Sequence, residues 1–327
     1  MQRKTAPHHN ATRRWATLAA VAAGALLLTG CAPWRMWTAA DLARDARPYT
    51  AQPPQPTQRV LVVGDSTAVG TGASTAADSL PGRMGQDHPQ WRIDNLAANG
   101  AKFGDVVQQL ERADGGYDLV LVLAGGNDVI RFTPEDTLRD QVQQAVALAR
   151  RKGQQVVLMP CGNVGHAPFF VPPLSWAMSR RSEALHALAR EVASAQQVHY
   201  VRLLKPRDQD PFVTRSQELN AADGLHPSSA GYAEWYRELV AQGERAAALK
   251  SLLKAVRYYS IASYPHLKND ELADQAQLLC NMAYREAGRL FKVPLKELQV
   301  PFRGKTIQGY LHLPTTDKPV PLVIVSG

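Results

Sequence analysis

Cysteine is scarce. Cys31, Cys161 and Cys280 are the whole complement of a 327-residue chain, which excludes a disulfide framework. Long apolar runs are missing too. The most apolar stretch, WATLAAVAAGALLL, extends only from Trp15 to Leu28, short of the roughly 20 residues a permanent membrane helix needs. There is no collagen-like or heptad repeat, and no G-x-S-x-G pentapeptide. His88, His166, His186 and His199 show no ligand spacing with cysteines or carboxylates, so no metal site is expected, and no cofactor either. Acid is absent from the first thirty residues, which hold Arg3, Lys4, Arg13 and Arg14. Those four account for half of the net charge of +8, leaving +4 (8 − 4) for the rest. The high isoelectric point is therefore partly a feature of the leader, and no nucleic-acid partner follows from it. What is present is ordinary for a globular protein: 45% hydrophobic and 20% charged residues, in a length that suits about two domains.

The leader reads as an address. A basic, polar stretch precedes the apolar run, which ends in Leu28-Thr29-Gly30-Cys31. That tetrad resembles the bacterial lipobox, which implies removal of residues 1–30 and attachment of lipid to Cys31. The resemblance implies a lipoprotein of the cell envelope, anchored in a membrane and facing the periplasm. Residues 31–57 contain AQPPQPTQ and read as an extended Pro/Gln-rich tether. Trp34 and Trp37 within it suit either a membrane interface or packing on the flank of the domain.

From residue 58 the pattern alternates. Apolar runs at 58–66, 91–97, 117–125, 154–160 and 198–204 read as five buried strands. Helical patterns lie at about 75–87, 103–113, 134–152 and 176–196, and a further helix is expected over Ser228–Arg245. Thr133-Pro134-Glu135-Asp136 is a helix start, with proline in the first turn and acids near the positive end of the dipole. Continuous apolar strands alternating with helices predict an α/β fold: a three-layer α/β/α domain around a five-stranded parallel sheet. Ligands on such sheets bind beyond the carboxyl ends of the strands.

Four polar blocks fall at those ends. GDSTAVG follows the first strand, ANGA the second, GGND the third, and DGLHP lies between the fifth strand and the last helix. Singly, each is common turn composition. In this order on one sheet edge they resemble the SGNH/GDSL hydrolase family, over about residues 58–245. The resemblance implies Ser66 as nucleophile, Asp223 and His226 as the rest of a catalytic triad, and Gly100 and Asn127 as oxyanion donors together with Ser66. The chemistry is coherent. A serine hydroxyl needs a neighbouring base, which His226 supplies before protonating the leaving alcohol. Asp223, three residues earlier, fixes the imidazole tautomer. Backbone N–H groups of Ser66 and Gly100 with the Asn127 amide can converge on an oxyanion. Asp128 reads as a loop-holding residue and Asp65 as a turn former. Cys161, after the fourth strand, either edges the pocket or, the preferred reading, is a buried free thiol. His166, Phe169, Phe170, Trp176 and Met178 lie in a Pro-rich segment that either lines an acyl pocket or packs as a simple loop.

Beyond about residue 247 the pattern changes. Residues 258–287 read as helical, PFRGKTIQGYLHLP (301–314) as two strands joined at a turn, and PLVIVSG (321–327) as an apolar strand. This tail, 248–327, resembles the start of the catalytic part of the fermentation–respiration switch esterases, an α/β-hydrolase family. It contains no nucleophile turn, and is read as an incomplete piece of that fold: a fusion remnant or a truncated frame rather than a working lid. The domain layout is thus 1–30 leader, 31–57 tether, 58–247 hydrolase and 248–327 tail. The expected partners are a small-molecule, lipid or acetylated-glycan ester and a membrane reached through Cys31. The functional expectation is a serine esterase acting on carboxylic esters. A non-catalytic lipoprotein using the same cleft for binding, and an esterase or regulator represented by the tail, are the alternatives.

Overall fold

The computed structural model describes residues 34–262, 270–293 and 295–314. Residues 1–30, Cys31 and the expected strand at 321–327 lie outside them. The chain divides into two compact units, one ending at Leu239 and one starting at Val240.

The first unit is built on a parallel sheet in the order β2-β1-β3-β4-β5. Its strands are β1 (Gln58–Gly64), β2 (Trp91–Asn95), β3 (Tyr117–Leu123), β4 (Gly153–Leu158) and β5 (His199–Tyr200). Val60, Leu61, Val62 and Val63 are fully buried. Every second side chain of a strand points to the opposite face, so this unbroken burial requires cover on both sides, as the continuous apolar run predicts. The fifth strand is the one that differs from expectation. Only His199 and Tyr200 pair, with Val157 and Leu158, because the chain beyond Val201 leaves the ladder and brings Leu203 to a cavity wall.

Helices α3 (Leu80–Asp87), α4 (Phe103–Arg112), α6 (Glu135–Lys152), α7 (Leu174–Ala195) and the first part of α10 (Ser229–Ala262) cover the sheet. The helix expected over 75–87 is split. A short 3₁₀ turn (Ala76–Asp78) comes first, and Ser79 then caps α3 by accepting from the Gly82 N–H at 3.1 Å. Cap residues adopt extended backbone and cannot sit inside a continuous helix. α10 runs well past Arg245. Short helices α2 (Ser66–Val69), α5 (Gly126–Ile130), α8 (Pro211–Thr214) and α9 (Ser216–Leu219) have no counterpart in the sequence pattern. At four or five residues each, they are too brief to show a helical period.

The stretch read as a tether departs most from its expectation. Residues 34–45 form a helix, α1. The sequence there, WRMWTAADLARD, is rich in helix formers; the Pro/Gln-rich composition begins only after it. The chain then runs along the sheet edge. Ala51 and Ile93 exchange backbone hydrogen bonds at 3.0 and 2.9 Å, covering part of the otherwise open edge of β2.

The second unit contains the remainder of α10, then α11 (Asp270–Leu290) and an antiparallel hairpin of β6 (Lys296–Phe302) and β7 (Lys305–Leu311). The helical reading of 258–287 falls on two helices, the end of α10 and most of α11. The hairpin turns at Arg303 and Gly304, both with positive φ (48° and 73°), the backbone a two-residue type I′ loop requires. β6 is exposed along its whole length.

Candidate active site

The site lies where β1 ends, between the crossovers that carry the chain to β2 on one side and β3 on the other. Order reversal at that point opens a crevice. Asp65 is the N-cap of α2, accepting from the Thr67 N–H at 2.9 Å and the Thr67 hydroxyl at 2.6 Å. Ser66 is therefore the first residue of a helix that starts at the strand end, held in a fixed direction. Asp65 does more than form a turn: its other oxygen accepts from the Gly126 N–H at 3.3 Å, joining the GDS block to the GGND block. Burial pushes the Asp65 carboxyl above its ordinary range, against the hydrogen bonds from Thr67 and Gly126 and the charge of His226.

Asp223 and His226 reach Ser66 on one closed loop. Asn220 and Pro227 form an isolated bridge, with Ala221 N–H donating to the His226 carbonyl at 2.8 Å and Ser228 N–H to Leu219 at 2.8 Å. Inside the loop, Asp223 Oδ1 accepts from the N–H groups of Leu225 (2.9 Å) and His226 (3.0 Å). Its Oδ2 accepts from His226 Nδ1 at 2.6 Å, and His226 Nε2 accepts from the Ser66 hydroxyl at 2.9 Å. Burial would raise the Asp223 carboxyl. The bond and charge of His226 with the two backbone N–H groups outweigh burial and hold it below its usual value. Such a carboxylate keeps the Nδ1–H tautomer and leaves Nε2 free to accept a proton.

Gly100 and Asn127 line the same cavity as Ser66 and His226. Gly100 has φ +78°, a left-handed conformation that favours glycine. Among the described residues, the N–H groups of Ser66 and Gly100 and the side-chain amide of Asn127 have no protein acceptor. Three such donors around one cavity can take up a developing negative charge. Asp128 is fully buried and accepts from the Phe103 N–H at 3.0 Å, tying the GGND loop to the start of α4 as its loop-holding reading requires.

The cavity measures about 340 Å³. Cys161 lines it as a buried free thiol, pushed up by burial and by nearby Asp65 and Asp128. Of the Pro-rich segment, Val164 and Ala167 reach the cavity, whereas His166, Phe169, Phe170, Trp176 and Met178 do not. Met178 and Trp176 both lie on α7, the first in the core and the second exposed; none of the five lines the pocket. His166 instead pairs with Asp210, Nδ1 to Oδ2, at 2.6 Å. Asp210 lines the cavity and caps α8, accepting from the Phe212 N–H at 3.0 Å. His186 is structural, bonded to the Tyr200 hydroxyl (2.6 Å) and the Cys161 carbonyl (2.7 Å), with burial lowering its pKa to about 4. Among the described residues, no cluster of histidine, cysteine and carboxylate is arranged to hold a metal ion.

Sequence reasoning missed one wall. Ala39, Ala40 and Ala43 of α1 line the cavity. The Asn99 side-chain amide donates to the Ala43 carbonyl at 2.6 Å, and its oxygen accepts from the Thr71 hydroxyl at 2.6 Å. Arg35 donates to the Pro168 carbonyl. The helical composition of 34–45 was legible, but alanines carry no chemical signal that would place them at a site.

Residues 62–234 match the GDSL-like Lipase/Acylhydrolase family, and residues 231–327 match the family described as Esterase FrsA-like. Esterase FrsA of Photobacterium profundum is 48% identical over 91 residues, 28% of this chain and 22% of that protein. Esterase FrsA of Vibrio cholerae is 53% identical over 86 residues, 26% and 20% respectively. The chain thus spans about a fifth of the length of these two relatives. Among solved structures, an acetylxylan esterase of Geobacillus stearothermophilus is similar at 19% identity, over 57% of this chain and 94% of that one (TM-score 0.44). A lipase/acylhydrolase of Enterococcus faecalis is similar at 23% identity, over 57% and 97% (TM-score 0.42).

Proposed function

The chain belongs to the GDSL-like lipase/acylhydrolase family, a family of ester hydrolases, and we propose that it cleaves carboxylic esters through an acyl-enzyme formed on Ser66. The observation that carries this reading is the unbroken hydrogen-bond series Ser66–His226–Asp223 at the cavity shared with Gly100 and Asn127. As Ser66 Oγ bonds to the acyl carbon, its proton passes to His226 Nε2 and the carbonyl electrons move onto oxygen. Ser66 N–H, Gly100 N–H and the Asn127 amide hold that oxyanion. The tetrahedral species collapses, the carbon–oxygen bond to the alcohol breaks, and His226 delivers its proton to the departing oxygen. Water, activated by the same imidazole, then releases the acid and restores Ser66. Asp223 stabilises the imidazolium throughout. Acyl, lipid and O-acetyl esters all fit this chemistry.

The test is covalent labelling by a serine-directed fluorophosphonate, run beside turnover on a panel of acyl and acetyl esters. Labelling at Ser66 that a substrate ester suppresses is expected. Folded protein that neither labels nor turns over any ester would favour a binding lipoprotein instead.

The anchor is a second part of the proposal, supported by the Leu28–Cys31 tetrad. Residues 1–30 act as a leader, lipid on Cys31 holds the protein on a membrane of the cell envelope facing the periplasm, and the hydrolase and tail follow as laid out above. A single acyl chain anchors only marginally, whereas several hold firmly. Cys31→Ser should therefore move the protein to the soluble fraction or stall it uncleaved; unchanged membrane attachment after normal cleavage would contradict the anchor.

A further inference from the structure

Among the described residues, the first unit exposes eight large apolar side chains, and seven of them fall on three of the segments that wall the Ser66 cavity. α1 carries Ala39, Ala40 and Ala43 on the cavity and presents Trp34, Met36 and Trp37 to solvent, Trp37 at 76% exposure. The GGND segment carries Asn127, Ile130 and Arg131 on the cavity and exposes Phe132 directly after them. The segment from Cys161 onward lines the cavity through Ala167 and then exposes Val171, Leu174 and Trp176. The eighth, Leu96, precedes Asn99 and Gly100, which also line the cavity. Scattered apolar residues need no explanation, but apolar exposure concentrated on the segments around one cavity marks a contact surface.

The three segments are fastened to each other. Arg35 of α1 donates to the Pro168 carbonyl. Arg181 of α7 donates to the Thr133 carbonyl and lies over the Phe132 ring, 5.1 Å from its centre. Phe132 has φ +54°, a region that a bulky side chain enters only against strain. The fold thus tolerates a strained backbone at the exposed residue directly after cavity-lining Arg131.

We propose that this rim is a docking surface for a lipid bilayer, so that the ester enters the cavity from the membrane side. The inference rests on the esterase reading and adds where its substrate comes from. Two further observations select lipid as the occupant. The first is reach: α1 starts three residues after Cys31 and six after the apolar run ends at Leu28, and six extended residues span at most about 20 Å. A leader or lipid held in a membrane therefore keeps the rim close to its surface. The second is charge. Across the three segments Arg35, Arg44, Arg131, Arg180 and Arg181 outnumber Asp41, Asp45 and the buried Asp128, a positive balance that complements anionic headgroups. Three tryptophans among the seven side chains suit the headgroup level, where indole rings collect.

The test uses the full chain in vesicles of phosphatidylcholine and phosphatidylglycerol whose acyl chains are brominated. Trp176 is the reporter because it is remote in sequence from the leader. The emission lost in Trp176→Ser isolates its signal, and brominated lipid is expected to quench that signal at least about twofold. An unquenched Trp176 signal overturns the proposal, as does a Trp176 emission shift that depends on protein concentration without vesicles, which would assign the rim to a second copy of the chain. In parallel, Phe132→Ser with Trp176→Ser should lower turnover of a long-chain ester embedded in the vesicles by roughly tenfold and leave a water-soluble short ester unaffected. Equal loss on both esters overturns docking. If the parent chain cleaves neither ester, the esterase reading fails, and the quenching result still decides the docking surface.

Discussion

The two units treat their apolar residues in opposite ways. In the first, Val60–Val63 and Leu121–Leu123 are closed off on both faces of a sheet, and the GDS block is bonded to the GGND block through Asp65 and to the DGLHP block through Ser66. In the second, Leu272, Leu278, Leu279 and Met282 of α11 and Leu298, Val300 and Phe302 of β6 are exposed. Among its described residues only Cys280 and Ala287 appear as buried apolar side chains. The helices and hairpin of the tail are well formed locally, and Tyr284 of α11 meets Tyr310 of β7 while Arg285 pairs with Glu297 of β6, yet these seven apolar side chains stay exposed. The five-stranded sheet turns local periodicity into a core, and among the described residues the unit built on it is the one that holds the hydrogen-bonded Ser66–His226–Asp223 series.

The largest effect that would break this contrast concerns the chemistry. Ser66→Ala and His226→Ala are each expected to lower ester turnover by about 10³–10⁶-fold, because the three residues act as a unit, with melting temperature nearly unchanged. Asn127→Ala should cost about 10²–10³-fold by removing one oxyanion donor. Turnover on a single soluble ester reads both, and full activity in folded Ser66→Ala would transfer the chemistry elsewhere in the chain.

Packing provides the next test. Leu61→Ala deletes a fully buried side chain and should destabilise the protein by about 2–5 kcal/mol. Val300→Ala on exposed β6 should change stability by no more than about 0.5 kcal/mol. Denaturant midpoints of the two variants compare the units directly; equal losses would mean that the tail has a core of its own in solution.

A pH series sharpens the account of the loop at Asp223. Its folded-state pKa lies below the ordinary carboxylate value, so it contributes stability above that ordinary value and loses it as pH falls through the folded one. The stability gap between the parent and Asp223→Asn should thus be widest near neutrality and narrow in acid. A gap that stays constant from neutral to strongly acid pH would show that the carboxylate charge is not what holds the loop.

The smallest expected effect is loss of the tail. The cavity residues all precede Val240, so a chain ending near Lys250 should keep the turnover of the longer one. A tenfold loss in a folded, shortened protein, about 1.4 kcal/mol of barrier, would make the tail part of the working site.

Much of this molecule was legible in one dimension. The continuous apolar runs located β1 and β3, since a strand buried on both faces leaves no alternation to misread, and shorter runs between helical patterns located β2 and β4. The blocks GDSTAVG, ANGA, GGND and DGLHP located Ser66, Gly100, Asn127, Asp223 and His226, because polar residues at strand ends carry their chemistry in their identity. Tertiary structure decided the rest. It reduced β5 to two paired residues, turned part of the supposed tether into a helix whose alanines wall the cavity, paired His166 with Asp210 across 44 positions, and left seven apolar side chains exposed on segments that line one cavity. None of these is a local property. An alanine, an exposed tryptophan or a single histidine takes its meaning from what the folded chain sets beside it, and that neighbour is chosen by packing between segments far apart in sequence.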